Sequence, residues 1–286
     1  MHRPRVLVQG ITGREARYWT ERMIECGTQI VAGVTPGKGG QSVHDVPVFD
    51  SVEDAVRDQH PDTSVLFVPP RAASTAVRET IASGLETIVL LTEHIPVQDT
   101  MQFLAQADEN DVSIIGPNSP GIAYPGSHFI GILPAWEPSI FTKGPVGVIS
   151  RSGSLGTLVC LELVRSGLGQ TGFIGIGGDP IVGTTFYDAL ARFEQDPDTR
   201  AVVLLGEIGG TMEEDAAPFI RAMSTPVVTF IAGASAPEGT RMGHAGAIVS
   251  AGRGSASSKV AALRDAGASV AELPSRVSTL VARALA

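Results

Sequence analysis

One histidine stands inside a glycine-rich stretch, Gly239-Thr240-Arg241-Met242-Gly243-His244-Ala245-Gly246-Ala247-Ile248. It follows an apolar run, Pro226 to Ile231, so the imidazole is expected where a strand's carboxyl end passes into a loop. Open α/β sheets bind ligands at that edge. An imidazole is neutral and nucleophilic near pH 7, and flanking glycines let backbone amides approach whatever it holds, which suits a phosphoryl group. A lone loop histidine carries no such assignment, but other stretches keep it company. In Gly206-Glu207-Ile208-Gly209-Gly210 a carboxylate closes a second strand. Beside an imidazole it could accept the Nδ1 proton and leave Nε2 as the nucleophile. Ser150-Arg151-Ser152-Gly153-Ser154 follows a strand and opens a helix. Ser152, Gly153 and Ser154 there offer hydroxyls and free amides to an anion, with the helix dipole adding about 0.3–1 kcal/mol. The plainer reading of Ser152 is a serine N-cap. Near the start, Gly10-Ile11-Thr12-Gly13-Arg14-Glu15-Ala16 is a GxxGxxA relative of the dinucleotide fingerprint, pointing to a phosphate or pyrophosphate. The second strand closes without the acidic residue that would hold a ribose in an NAD-binding domain. Instead Thr35-Pro36-Gly37-Lys38-Gly39-Gly40 offers Lys38, a cation suited to a ligand with an extra phosphate.

The elements that must position these residues alternate along the chain. Short β-branched runs at 5–9, 29–34, 64–68, 87–91 and 112–115 read as buried strands. Helical spacing fills 14–26, 52–59, 72–83 and 97–109, with Asp50 and Ser51 placed as caps. This alternation predicts a mostly parallel, doubly wound sheet over 1–120. The stretch from Pro117 to Pro145 gathers Pro120, Pro125, Pro134 and Pro138 with Gly121, Gly126, Gly131 and Gly144, so 121–144 is expected to connect two domains. A second alternation occupies 145–286, with strands at 146–149, 172–176, 201–205, 227–231 and 269–273. Its helices are expected at 154–166, 185–195, 213–223, 255–266 and 275–285.

Composition narrows the function classes. The 286 residues are 43% hydrophobic and 18% charged, the balance of a well-buried globular chain. A formal net charge of -9 gives no general attraction for nucleic acid or an anionic membrane, so any anionic ligand must be held locally. No apolar run approaches the length of about 18 residues that a membrane span needs, and no signal-type segment is visible, so a cytoplasmic location is expected. Cys26 and Cys160 lie far apart without ligand spacing, which points to free thiols rather than a disulfide or metal site.

Taken together, GHAGAI at 243–248, GEIGG at 206–210, SRSGS at 150–154, VTPGKGG at 34–40 and IGPNSPG at 115–121 resemble the alpha subunit of succinyl-CoA synthetase. The resemblance runs in order from about Val6 to Leu285. It implies a Rossmann-like CoA-binding domain followed by a flavodoxin-like ligase domain that works with an ATP-grasp beta subunit. By resemblance, His244 is the residue phosphorylated, Glu207 orients it, and Ser152, Gly153 and Ser154 receive the phosphoryl group. CoA would contact Thr12, Gly13, Arg14, Glu15, Lys38, Leu91, Thr92 and Glu93. The implied reaction joins a carboxylic acid to CoA through a phosphohistidine and an acyl phosphate. ATP or GTP with Mg²⁺ would sit on the partner, since this chain carries no P-loop.

Three positions depart from the succinate-specific pattern. Thr157 stands where the family carries a tyrosine near the acid, Ser119 where a cysteine or threonine is usual, and Arg14-Glu15 where a neutral pair is usual. The expected acid is therefore succinate, malate or a bulkier relative. Two competing readings are a non-catalytic CoA-binding regulatory protein and a nicotinamide dehydrogenase. The intact His244 and Glu207 argue against the first, and the missing ribose carboxylate argues against the second.

Overall fold

Val6, Leu7 and Val8 are fully buried in strand β1 (Arg5–Gln9), and burial of both faces is what a parallel sheet covered by helices on each side requires. The computed structural model describes residues 3–235, 243–249 and 254–286. Residues 239–242 of the glycine-rich stretch lie outside them.

Around β1 the first sheet adds β2 (Gln29–Val34), β3 (Ser42–Val43), β4 (Val46–Phe49), β5 (Thr63–Leu66), β6 (Thr87–Leu90) and β7 (Ser113–Ile115). Its order is β3-β4-β2-β1-β5-β6-β7, parallel throughout except for β3. Leaving out β3, this is the Rossmann order, with the order of strand addition reversing between β1 and β5, where such sheets open a ligand crevice. The helices are α1 (Arg14–Glu25), α2 (Val52–Gln59), α3 (Pro70–Ala82) and α4 (Val97–Glu109). Ser51 caps α2 by accepting the Asp54 amide, whereas Asp50 accepts the amide of Gly39 at 2.9 Å.

The second sheet contains β8 (Gly121–Tyr124), β9 (His128–Gly131), β10 (Lys143–Ser150), β11 (Gln170–Gly175), β12 (Ala201–Glu207), β13 (Val227–Ala232) and β14 (Ser269–Val270). Its order is β14-β13-β12-β10-β11-β8-β9. The five strands from β10 to β14 are parallel in flavodoxin order, with their switch point between β10 and β12. Helices α5 (Gly153–Arg165), α6 (Phe186–Glu194), α7 (Met212–Ala222), α8 (Ala256–Asp265) and α9 (Val277–Leu285) cover it.

The segment 121–144, expected as a connection, is more than that. Its hairpin β8–β9 joins the second sheet antiparallel to β11, pairing Ala123 with Phe173 and Ile122 with Ile174. Strands of four residues are too short for alternation to reveal them, and the prolines and glycines that suggested a linker mark the turns around them. Strand β14 ends at Val270 rather than 273, because Pro274 opens a short 3-10 turn.

The two sheets share one continuous apolar core, running from Val6 and Ile11 through Phe129 and Ile130 to Val148 and Phe173. Polar contacts reinforce the junction. The Thr28 hydroxyl donates to the Phe129 carbonyl at 2.6 Å, and the Thr184 hydroxyl donates to the Ile114 carbonyl at 2.8 Å. Among the described residues no helix is long and apolar enough to cross a membrane.

Candidate active site

Glu207 is the last residue of β12, a strand buried along its whole length, so its carboxylate emerges at the switch-point edge of the second sheet. The segment carrying His244 lies across that edge. The Gly246 amide donates to the Gly178 carbonyl at 3.1 Å, and the Ala247 amide donates to the His244 carbonyl at 3.2 Å. Gly209, at φ +91°, lets the turn after β12 pass directly beneath this segment, because a Cβ there would sit 1.9 Å from the Gly246 carbonyl oxygen. His244 Nδ1 is 2.9 Å from Glu207 Oε2 and 3.1 Å from Oε1. Gly178 backs the ring closely enough that a Cβ would reach 2.4 Å from the imidazole Cγ.

This geometry settles what the imidazole can do. A carboxylate that accepts from Nδ1 fixes the tautomer in which Nε2 keeps its lone pair. The bond to Glu207 also raises the His244 pKa above its ordinary value, with partial burial opposing it. His128 is a useful contrast. Burial among apolar groups depresses it to about 4, so it stays neutral as a packing residue against Tyr124. The two histidines differ in having or lacking a carboxylate partner.

Beneath Glu207 lies a set of charges that sequence reasoning did not assign. Arg151 is 1% exposed, with Nη2 3.4 Å from Glu207 Oε1 and Nη1 donating to the Gly209 carbonyl at 3.1 Å. Glu213, at the start of α7, accepts the Glu207 amide at 3.0 Å and pairs with the ammonium of Lys259 in α8. Lys259 also donates to the Gly209 carbonyl at 2.9 Å. A signal for them did exist. Glu213 shares a buried stripe with Ala216, Ala217 and Ile220, and Lys259 shares one with Ala256 and Leu263. A charge on an apolar stripe at helical spacing marks a buried ion.

Ser152 caps α5, its hydroxyl accepting the Leu155 amide at 3.4 Å, and Gly153 and Ser154 form the first turn. Their amides have no intrahelical acceptor, which leaves them for an anion. This helix starts just after β10, which runs parallel to β12, and so lies on the same edge as Glu207. Thr157 is part-buried, and its hydroxyl donates to the Gly153 carbonyl at 2.8 Å. Ser119 is buried and donates to the Gly175 carbonyl at 2.5 Å.

The first-domain candidates gather at the carboxyl edge of their own sheet. Gly10, directly after β1, has φ +77°, and a Cβ there would lie 2.3 Å from the Phe67 carbonyl oxygen at the end of β5. The Thr12 hydroxyl is 3.2 Å from that of Thr35, beyond β2. Gly13 is the N-cap of α1 and supplies no side-chain bond to it. Arg14 is 95% exposed and meets Glu15 at 3.5 Å, and Lys38 is exposed with no ion pair among the described residues. Leu91, Thr92 and Glu93 follow β6, where the Thr92 hydroxyl donates to the Val68 carbonyl at 2.8 Å. Free amides, a backbone approach only glycine permits, Lys38 and a surface-paired Arg14 form a cradle suited to phosphate groups.

None of these side chains touches His244, yet the two edges are joined by backbone. Thr92 accepts the Asn118 amide at 2.9 Å, Asn118 in turn accepts the Gly178 amide at 3.3 Å, and Gly178 packs on the imidazole. The Asn118 side chain bonds Asp179 at 2.9 Å, and burial raises that carboxyl's pKa. A cavity of about 80 Å³ opens at this junction, between His94 and Ile95 on one side and Asp179 and Ala245 on the other.

Comparison with known proteins agrees with this arrangement. Residues 2–94 match the CoA binding domain family and residues 148–269 match the CoA-ligase family. Fold and site together thus define a CoA ligase, with a Rossmann-like CoA-binding domain followed by an α/β ligase domain. The chain is 52% identical over 283 residues to succinate–CoA ligase (ADP-forming) subunit alpha 2 of Archaeoglobus fulgidus, covering 99% of this chain and 98% of that one. It is 45% identical over 279 residues to the ADP-forming sulfoacetate-CoA ligase subunit SauD of Bilophila wadsworthia, covering 97% and 95%. The chain belongs to the succinate–CoA ligase alpha subunit family. The fold is also that of ATP citrate lyase from Methanothrix soehngenii, with TM-score 0.91 at 22% identity over 99% of this chain, which spans 50% of that structure.

Proposed function

We propose that this chain is the alpha subunit of an ADP- or GDP-forming carboxylic acid–CoA ligase in which His244 carries the phosphoryl group. The observation that carries the reading is the 2.9 Å contact between Glu207 and His244 Nδ1, which frees Nε2 at the edge where α5 begins. Nε2 attacks the γ-phosphorus of the nucleotide, which is held with Mg²⁺ on an ATP-grasp beta subunit, and the nucleoside diphosphate leaves. Glu207 holds the Nδ1 proton while the ring gains a group bearing about -1.5 to -2 charge. The amides of Gly153 and Ser154 and the Ser152 hydroxyl receive that charge. The acid's carboxylate oxygen then attacks phosphorus, the N–P bond breaks, and an acyl phosphate forms. Finally the CoA sulfur attacks the acyl carbon and phosphate departs. CoA is held at Thr12, Gly13, Arg14, Glu15, Lys38 and the 91–93 strand end.

The acid is succinate or a related carboxylic acid. Family members differ here, since one of the relatives above is named for succinate and another for sulfoacetate. Thr157 is the residue of this chain that we assign to that choice. Its hydroxyl is committed to the Gly153 carbonyl, so it does not reproduce a tyrosine's phenol.

The test uses the chain purified with its partner. γ-labelled ATP and Mg²⁺ should place acid-labile, base-stable label on the alpha chain. That label should be absent from His244→Ala and discharged by the right acid, with acyl-CoA and free phosphate released only when CoA is supplied as well. A complex that binds ATP yet takes no label would refute the phosphohistidine and leave a CoA-binding regulatory protein as the account.

A further inference from the structure

Four charged side chains, Arg151, Glu207, Glu213 and Lys259, share one dry compartment under His244, and the transfer described above uses only Glu207. The side chains of Glu213 and Lys259 are 0% exposed and that of Arg151 is 1% exposed. Dry ion pairs contribute little to folding, because desolvation offsets their attraction, and a packed apolar set would hold these helices equally well. What the charges do is fix one turn of main chain. Glu213 Oε1 accepts the Glu207 amide, and the Gly209 carbonyl accepts from both Arg151 and Lys259. The backbone is thereby gripped on each side of Ile208. Lys259 lies in the first turn of α8, the helix that follows the histidine-bearing segment, so the same ammonium ties that helix to the turn. The Gly209 amide adds a bond to the Gly254 carbonyl at 2.8 Å, just before α8.

Resting on the phosphohistidine reading, we propose that Lys259 is a positioning residue of the phosphoryl-transfer site. Paired with Glu213 and bonded to Gly209, it locks the Glu207–Gly209 turn and the foot of α8 in the arrangement that delivers the Glu207 carboxylate to Nδ1 of His244. Its ammonium bonds the Gly209 carbonyl and not the imidazole, so its influence reaches His244 through the Glu207–Gly209 turn. Among the described residues, Glu207, Arg151 and Asp179 act on the His244 charge.

Removing one member of a buried pair strands the other, so the informative variant neutralises both, Lys259→Met with Glu213→Gln; Arg151, 3.6 Å from Glu213, keeps Glu207, and Glu214, 3.6 Å from Lys259, is part-exposed and keeps Ser258. In complex with the partner, the single-turnover rate of His244 labelling is measured per folded molecule across the pH range in which imidazole titrates. Without the clamp the carboxylate is misplaced, and labelling should fall roughly 10²-fold. The acid limb of the profile should move to lower pH, because the imidazole loses the acceptor that favours its protonated form. A loss of stability alone would lower the melting temperature and leave that limb where it was. Should the double variant not fold, Lys259→Arg keeps the cation with an altered reach and should show both changes in smaller degree. A folded variant that labels within about twofold of wild type with its acid limb unmoved would overturn the proposal. Absence of label on the wild-type complex would instead overturn the phosphohistidine itself.

Discussion

The carboxyl edges of the two sheets place their charged side chains in opposite settings. At the first, the cations lie in water: Arg14 is 95% exposed, Lys38 has no ion pair among the described residues, and α1 begins at Gly13 without a side-chain cap. At the second, Arg151, Glu213 and Lys259 are enclosed and bonded to fixed partners. An edge of the first kind suits capture of a whole ligand from solution, where backbone amides set the geometry and screened charges adjust affinity. An edge of the second kind suits a transferred group, where charge arrives and leaves within one step. Groups already held in place need no reorganisation at that moment, which is how fixed dipoles and charges lower a barrier. On the proposed reading the same helix-start motif serves two tasks, according to whether the charges around it are solvated or dry.

The sharpest way to break the contrast is Glu207→Gln. It keeps the shape and removes the charge that the imidazole proton needs, so His244 labelling should fall about 10²- to 10³-fold while CoA binding, measured by calorimetry, stays as in wild type. The pH profile carries a sign. Glu207 raises the His244 pKa, so in wild type the imidazole is protonated and inert up to a pH above its ordinary value. In the variant this acid limb should move down even as the plateau falls. A limb that stays put would mean that Glu207 does not set the imidazole's protonation. Gly10→Ala addresses the other edge, where the added Cβ would lie 2.3 Å from the Phe67 carbonyl oxygen at a φ of +77°. The turn must shift, and CoA affinity should drop by roughly tenfold. ATP-driven labelling of His244 should persist. Loss of both together would show the two edges to be one unit.

What could be read from the sequence follows the same division. Parallel strands buried on both faces announce themselves, as β1 and β13 do, because their apolar runs are continuous. The hairpins β3–β4 and β8–β9 do not, being two to four residues long. The turn between β3 and β4 places His44 and Asp45 at φ 50° and 63°, a conformation usually marked by Asn-Gly, so its residues give no cue. His244 and Glu207 were legible because glycines surround them. Arg151, Glu213 and Lys259 were not assigned, since Arg151 and Lys259, distant in sequence, meet only at the Gly209 carbonyl, and Glu213 acts through the Glu207 amide and Lys259. Only the stripe positions of Glu213 and Lys259 hinted at burial. Asn118 joins the two edges through backbone bonds, which no residue type encodes, while the need for glycine at 178 shows only once the imidazole is seen packed on it.

The smallest expected effect is the most discriminating for the solvated edge. Lys38 makes no ion pair among the described residues, so Lys38→Ala leaves no charge stranded and should not alter the fold. If its ammonium meets a phosphate of CoA, affinity should weaken by roughly five- to tenfold at low salt. An exposed pair is screened as the Debye length shrinks from about 10 Å at 0.1 M to about 3 Å at 1 M, so the gap between wild type and variant should close with added salt. The Gly10→Ala defect, being steric, should not close. Dephospho-CoA identifies the phosphate concerned. Wild type should prefer CoA over it, and Lys38→Ala should lose that preference if the lysine serves the ribose phosphate. It should keep the preference if the lysine serves the pyrophosphate. Equal affinity of wild type and variant for CoA at every salt concentration would remove Lys38 from the site and leave the first edge to Arg14 and the backbone amides.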